Sequence, residues 1–169
     1  MTPQILSILD PAGAPQLLGT MAGGKLQDTL RIYDNGLPQA SIQYKDGLPH
    51  GPCLLLHAAH QPSAKLFYRA GKLHGQAEFY SSEGQLVRKT GYQMGLLHGL
   101  QQDFYPDGTL FEQASYRNGL LDGIWQRYHH NGILSERRNY SLGRQSTFPE
   151  CFNERGHALP NKAMQVPRS

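Results

Sequence analysis

The chain is poor in the residues that stabilise small secreted domains and large enzyme cores. Two of its 169 residues are cysteine and one is tryptophan. Two cysteines cannot build the disulfide framework of a small extracellular domain. The hydrophobic fraction of 38% is low for a two-layer core, and no apolar run approaches the roughly 20 residues of a membrane-spanning helix. Met1 to Asp10 has neither a basic start nor a long apolar centre, so it does not read as a signal peptide. These absences lead us to expect a cytoplasmic protein. Charged residues make up 17%, with a net charge of +3, and lack the large basic excess interleaved with aromatics that marks nucleic-acid binders. Sequence motifs for catalysis are missing too. There is no G-x-S-x-G nucleophile elbow and no G-x-x-x-x-G-K-[ST] phosphate loop. No pair of carboxylates is singled out for glycoside hydrolysis. The expectation is a non-enzyme without cofactor or small-molecule substrate.

The 19 glycines and nine tyrosines, by contrast, fall in register. Tyr44, Tyr68, Tyr92, Tyr116 and Tyr140 recur every 24 residues, each followed three residues later by Gly47, Gly71, Gly95, Gly119 or Gly143. A second glycine follows at Gly51, Gly75, Gly99 and Gly123, preceded by His50, His74, His98 or Asp122. A period in the twenties indicates a tandem array of supersecondary units. Within a unit, a first strand-like run ends at Tyr80, Phe104 or Tyr128. A turn closed by Gly84, Gly108 or Gly132 follows, and a second run starts near Leu86, Leu110 or Leu134. Turn formers such as Pro106-Asp107-Gly108 and His130-Asn131-Gly132 make each unit a β-hairpin.

The register extends to both ends. Gly24-Lys25-Leu26 repeats Gly71-Lys72-Leu73, in a unit one residue short at Asp34-Asn35-Gly36; the first strand reads as Ile5 to Asp10, and Phe152 and Gly156 continue the pattern. The expected fold is all-β: an elongated, single-layer antiparallel sheet of about 12 to 14 strands built from 24-residue hairpins. Residues 1–163 form one repeat domain, with units about 1–20, 21–43, 44–67, 68–91, 92–115, 116–139 and 140–163, and 164–169 form a tail.

Eight histidines raise the question of metal. His50, His74 and His98 are equivalent, so neighbours stand two strands, roughly 10 Å, apart. Zinc needs nitrogens at about 2.0–2.1 Å. No metal site is expected, and the column reads as polar side chains that bond turn backbone, a role Asp122 shares. Cys53 and Cys151 lie about four hairpins apart, on the order of 35–40 Å, beyond disulfide reach.

Alternation along the first strand of each unit separates two faces. One carries Leu100 with Phe104 and Ile124 with Tyr128, repeats in character, and reads as structural. The other carries Cys53, Leu55, His57; Ala77, Phe79, Ser81; Gln101, Asp103, Tyr105; Trp125, Arg127, His129, and changes from unit to unit. Trp, Tyr and Arg are enriched at binding hot spots. The candidate partner-binding residues are therefore Phe79, Asp103, Tyr105, Trp125, Arg127 and His129, with packing against a second copy as the alternative use of the same face.

The signature Y-x-x-G-x-x-[HD]-G, an aromatic five residues on, a G-x-L turn and the next Tyr resembles the MORN-repeat variant family over residues 44–140. The tryptophan of classical MORN units is absent from this motif, Trp125 sitting elsewhere in the unit. The resemblance implies a repeat sheet and a protein partner. The variant family includes members associated with toxin–antitoxin and interbacterial immunity systems, which would make this chain a protein that neutralises a toxin or secreted effector. The second implication, from classical arrays, is a structural scaffold or membrane-associated organiser. Nucleic acid and membrane are not expected partners; self-association is left open.

Overall fold

The computed structural model describes residues 2–58 and 60–160, and the proposed tail at 164–169 lies outside them. Among the described residues there is no helix, and 17 strands belong to one antiparallel sheet. By internal packing the chain divides into two compact units. The first takes residues up to Leu86 with Tyr92–Leu96; the second takes Val87–Gly91 with the residues from Leu97 onward.

The first unit contains β1 (Gln4–Leu9), β2 (Pro15–Ala22), β3 (Lys25–Asp34), β4 (Leu37–Lys45), β5 (Leu48–Leu56), β6 (Pro62–Arg69), β7 (Lys72–Leu73) and β8 (Gly75–Tyr80). β9 (Leu86–Gln93) and β10 (Leu96–Leu97) contribute to both. The second unit contains β11 (Gly99–Phe104), β12 (Leu110–Arg117), β13 (Leu120–Tyr128), β14 (Leu134–Ser141), β15 (Arg144–Gln145), β16 (Glu150–Phe152) and β17 (Ala158–Leu159). The strand total exceeds the expected 12 to 14 because some strands are broken. β7 and β8 both pair with β6, and β15 and β16 both pair with β14, so each couple is one interrupted strand. The break at His74 carries Gly75 at φ 77°.

Two turn types alternate, and each has a local cause. In the first, two adjacent residues both lie in the left-handed region, as a two-residue type I′ hairpin requires. Asp46-Gly47 (54°, 82°), Ala70-Gly71 (48°, 79°), Met94-Gly95 (50°, 89°), Asn118-Gly119 (50°, 85°) and Leu142-Gly143 (48°, 82°) are of this kind. The glycine N–H of each turn also reaches back to the preceding hairpin: Gly71 donates to Pro49 O (2.8 Å) and Gly143 to Leu121 O (2.7 Å). In the second type a residue bonds across the turn twice. Tyr105 N–H donates to Thr109 O (2.8 Å) while Gly108 N–H donates to Tyr105 O (2.9 Å), and the same pair of bonds recurs at Asp10, His57, Ser81, His129 and Asn153.

The tyrosine–glycine spacing has a cross-strand explanation. Tyr68 lies directly opposite Gly51, Tyr116 opposite Gly99 and Tyr140 opposite Gly123. Each of these tyrosines thus faces, across the strand pair, a position with no side chain. The histidine column behaves as expected at two places: Ala70 N–H donates to His50 Nδ1 and Leu142 N–H donates to Asp122 Oδ1, both at 3.3 Å. His74 Nδ1 is buried without a hydrogen-bond partner.

Candidate functional site

Burial falls on the variable face, the one offered from sequence for partner binding. Ile124 and Leu100, on the face read as structural, are each 48% exposed. The buried side chains lie on the variable face. In the first unit these are Leu30, Cys53, Ala64 and Ala77, with register running Leu30–Ile42–Cys53 and Ala64 opposite Phe79. In the second unit they are Thr90, Ala114 and Trp125, with Ala114 opposite both Gln101 and Trp125. A single layer has no second layer to bury against, so shelter comes from large side chains leaning over small cross-strand neighbours.

The second unit concentrates most of the candidate residues. A charged row crosses five strands in direct register: Arg88, Asp103, Glu112, Arg127, Glu136. Asp103 and Glu112 are like charges side by side, an unfavourable pairing by itself. Each is answered by an arginine: Arg88 Nε lies 2.5 Å from Asp103 Oδ1, and Arg127 Nη2 lies 3.1 Å from Glu112 Oε2. Gln101 Nε2 donates to the other Asp103 oxygen at 3.1 Å. At the end of the row Arg138 Nη2 meets Glu136 Oε1 at 2.5 Å, which holds the Arg138 guanidinium charged above its ordinary range. The carboxylate side chains are 16–21% exposed and the arginines 34–49%. Solvent therefore meets guanidinium groups lying over sheltered carboxylates.

Trp125 stands beside this row at 9% exposure. Arg127 lies 4.9 Å and Arg138 5.1 Å from its ring centroid, both within cation–π range. Arg127 is also 5.5 Å from the Phe111 ring, and Phe111 meets Tyr105 edge-on at 5.0 Å. Arg127 thus joins the aromatic cluster to the charged row. Tyr116 is half-buried alongside, its phenol pushed up by burial first and by the Glu112 charge second.

Tyr105 and His129 have structural work of their own. Tyr105 Oη donates to Tyr128 O (3.1 Å), and His129 Nε2 bonds Phe152 O (2.9 Å), each one repeat ahead. His57 does the same to Tyr80 O at 3.0 Å in the first unit. Shorter side chains in this column cap their own turn instead. Ser81 Oγ accepts from Glu83 and Gln85 N–H, and Asn153 Oδ1 from Arg155 and His157 N–H. The variation read from sequence as recognition is, in this column, a choice between two ways of satisfying backbone groups.

Asp103, Tyr105, Trp125, Arg127 and His129 therefore share the second unit, while Phe79 belongs to the first, half-buried opposite Ala64. Arg88, Glu112, Glu136 and Arg138 were not among the candidates read from sequence, where they look like a solvated charged face. Their signal was the charge alternation across paired strands, visible only once the second strand of each hairpin is placed in register with the first. No group of three His, Cys, Asp or Glu among the described residues is arranged to hold a metal ion. Both cysteines are free, and burial pushes the Cys53 thiol up. No helix among the described residues is long and apolar enough to cross a membrane.

Three consecutive segments, 73–94, 97–118 and 121–141, match the family described as MORN repeat variant. No curated protein matches the chain. Among solved structures, a mutant of S. aureus TarM in complex with fondaparinux, α-GlcNAc-glycerol and UDP aligns with 70% of this chain at 12% identity and TM-score 0.39, over 21% of its own length. A second TarM structure aligns with 78% at 12% identity and TM-score 0.33, also over 21% of its length. The GtfA/B complex bound to UDP and GlcNAc aligns with 79% at 13% identity and TM-score 0.24, over 22% of its length. This chain spans about a fifth of each. The repeat match and the repeating sheet together describe a repeat-based binding scaffold.

Proposed function

We propose, from repeats of the MORN-variant kind and a face whose chemistry changes over a constant frame, that this chain is a non-enzymatic protein-binding scaffold that neutralises a protein toxin or secreted effector in the cytoplasm. The observation that supports this reading best is the second unit's variable face. Its turns and tyrosines repeat, while its middle carries Arg88, Asp103, Glu112, Arg127 and Glu136 around Trp125. Arg127 contacts two aromatic rings and one carboxylate and remains 43% exposed. A planar guanidinium held in place loses little freedom on binding and is suited to an acidic group of a protein partner. Trp125 supports the site from beneath rather than anchoring the partner, because it is already buried.

The test has two stages. Partners captured with the tagged chain from its native host are identified by mass spectrometry, and each is then expressed with and without the chain. A captured protein that arrests growth alone, and not in the presence of the chain, supports the proposal. Arg127→Glu should abolish that rescue; it also sets a third carboxylate between Glu112 and Glu136 and lowers the melting temperature, so the variant is assayed well below its own melting point. If no captured protein is toxic, or if Arg127→Glu rescues as well as wild type, the toxin reading or this face is wrong, respectively.

A further inference from the structure

We infer that β1 is a self-complementary edge, and that two copies of this chain join through it as an antiparallel strand pair. β1 pairs with β2 from Gln4↔Met21 to Leu9↔Pro15, and the register shift near Ile8 and Leu9 adds its extra residue to β2, leaving alternation along β1 intact. At the turn, Asp10 directs its backbone inward: its N–H donates to Ala14 O at 2.8 Å and its carbonyl accepts from Gly13 N–H at 3.0 Å. In an antiparallel ladder the inward and outward backbone groups alternate by residue. Ile8, Leu6 and Gln4 therefore also bond inward, and Ile5, Ser7 and Leu9 turn their N–H and C=O groups away from β2.

Natural sheets blunt such an edge with charge, proline, a bulge or a very short strand. β17 is blunted by length, at two residues. β1 has six residues, QILSIL, without charge or proline. Three of its side chains are among the exposed large hydrophobics: Ile5 at 86%, Ile8 at 48% and Leu9 at 55%.

The occupant follows from the sequence of the strand. Ile5-Leu6-Ser7-Ile8-Leu9 has two large apolar residues on either side of Ser7, so its apolar pattern reads the same in both directions. Placed antiparallel to itself with the two-fold axis at Ser7, the outward groups of Ser7 meet those of Ser7 in the second copy, and those of Ile5 meet those of Leu9. Residues directly opposite point to the same side of the sheet. Ile5 is then covered by Leu9 on one face, and Leu6 by Ile8 on the other. Nothing charged opposes anything charged. An isologous contact of this kind closes at two copies and uses up the β1 edge of both.

The pairing places the two Ser7 residues as a hydrogen-bonded pair, with Cα atoms about 5.5 Å apart, inside the range a disulfide spans. The full chain carrying Ser7→Cys, exposed to mild oxidant, should form a symmetric cystine linking two Ser7-derived peptides, identified by mass spectrometry. The same chain carrying Gln4→Cys should not, because position 4 lies opposite position 10 in this register. Sedimentation velocity over a wide concentration range should show wild type moving from monomer to dimer. Ile5→Lys should remain monomeric, and since Ile5 is the most exposed of the set its melting temperature should match wild type at concentrations where wild type is monomeric and fall below it where wild type is dimeric. Ser7→Pro, which removes an outward N–H, should behave likewise. Monomeric wild type at every concentration, a dimer that survives Ile5→Lys, or crosslinking at position 4 as readily as at position 7 would each overturn the inference.

Discussion

The Tyr105 hydroxyl donates to the carbonyl of Tyr128, 23 residues further along the chain, at 3.1 Å. The bond ties the turn of one repeat to the end of the first strand in the next. His129 and Phe152 stand in the same relation. In a fold where each repeat touches only its neighbours, such links set how cooperatively the units unfold.

Tyr105→Phe removes that link and leaves the ring packed on Phe111 and His130. A neutral hydrogen bond contributes about 0.5–1.5 kcal/mol, so the second unit should lose stability on that scale. Chemical denaturation should show a lower midpoint, and hydrogen exchange should rise first at residues flanking Tyr105 and Tyr128. Unchanged protection at both places would remove the link from the stability argument.

Ala70, Met94 and Leu142 occupy left-handed positions, at φ 48° to 50°, where Asn118 sits in the equivalent turn. A branched or long side chain there costs about 1 kcal/mol relative to residues that tolerate the region. Leu142→Asn and Met94→Asn, at exposed sites, should each raise the melting temperature. His60, at φ 63° where the matching turns carry Gly84, Gly108 and Gly132, gives a further case: His60→Gly should stabilise as well.

Glycines of the array differ in tolerance for different reasons. A Cβ at Gly91 would lie 2.2 Å from the His98 carbonyl oxygen, a backbone atom, whereas one at Gly99 meets nothing within 4 Å and is strained only by φ 87°. Gly91→Ala should cost about 2–3 kcal/mol and Gly99→Ala about 1 kcal/mol. Thermal melts of the two variants side by side give the order. The reverse order would mean that backbone strain, not space, governs these sites.

Burial pushes up the phenols of Tyr68, Tyr116 and Tyr128, and the hydrogen bond from Tyr80 to Glu78 pushes up that of Tyr80. A group whose folded pKa is raised contributes stability that is intact below its unfolded pKa, about 10 for tyrosine, and lost as pH rises through the folded value. The protein should therefore weaken steeply in the alkaline range. Tyr68→Phe and Tyr116→Phe should each flatten the fall in melting temperature above about pH 10 without altering it near neutrality.

Much of the fold was legible because turn chemistry is local. Asp34-Asn35-Gly36 and the glycines 24 residues apart announce their turns whatever surrounds them, and the strand ends at Tyr80, Phe104 and Tyr128 fall where the spacing puts them. Strand interruptions were not legible, since His74 and His98 read like His50 although β5 runs through His50 unbroken. The candidate site was legible only in part. Trp125 and Arg127 share a strand, so one strand's alternation revealed them. Glu112 and Arg138 become their partners through register with neighbouring strands, which a reading along one strand does not contain. Burial was misjudged for a related reason: Trp125 is sheltered by Ala114 and two arginine stems, none of them marked as core by hydrophobicity.

The backward bond from each of the turns at Gly47, Gly71, Gly95, Gly119 and Gly143 to the hairpin before it, as from Gly71 to Pro49 and from Gly143 to Leu121, has a consequence for how such a chain changes over generations. Conformation is specified at the punctuation, and neighbours are stitched there as well. The residues between two turns are consequently loosely constrained text. Whole 24-residue paragraphs can be copied or excised in frame, and the stretches within them rewritten, while the grammar that folds the chain is preserved.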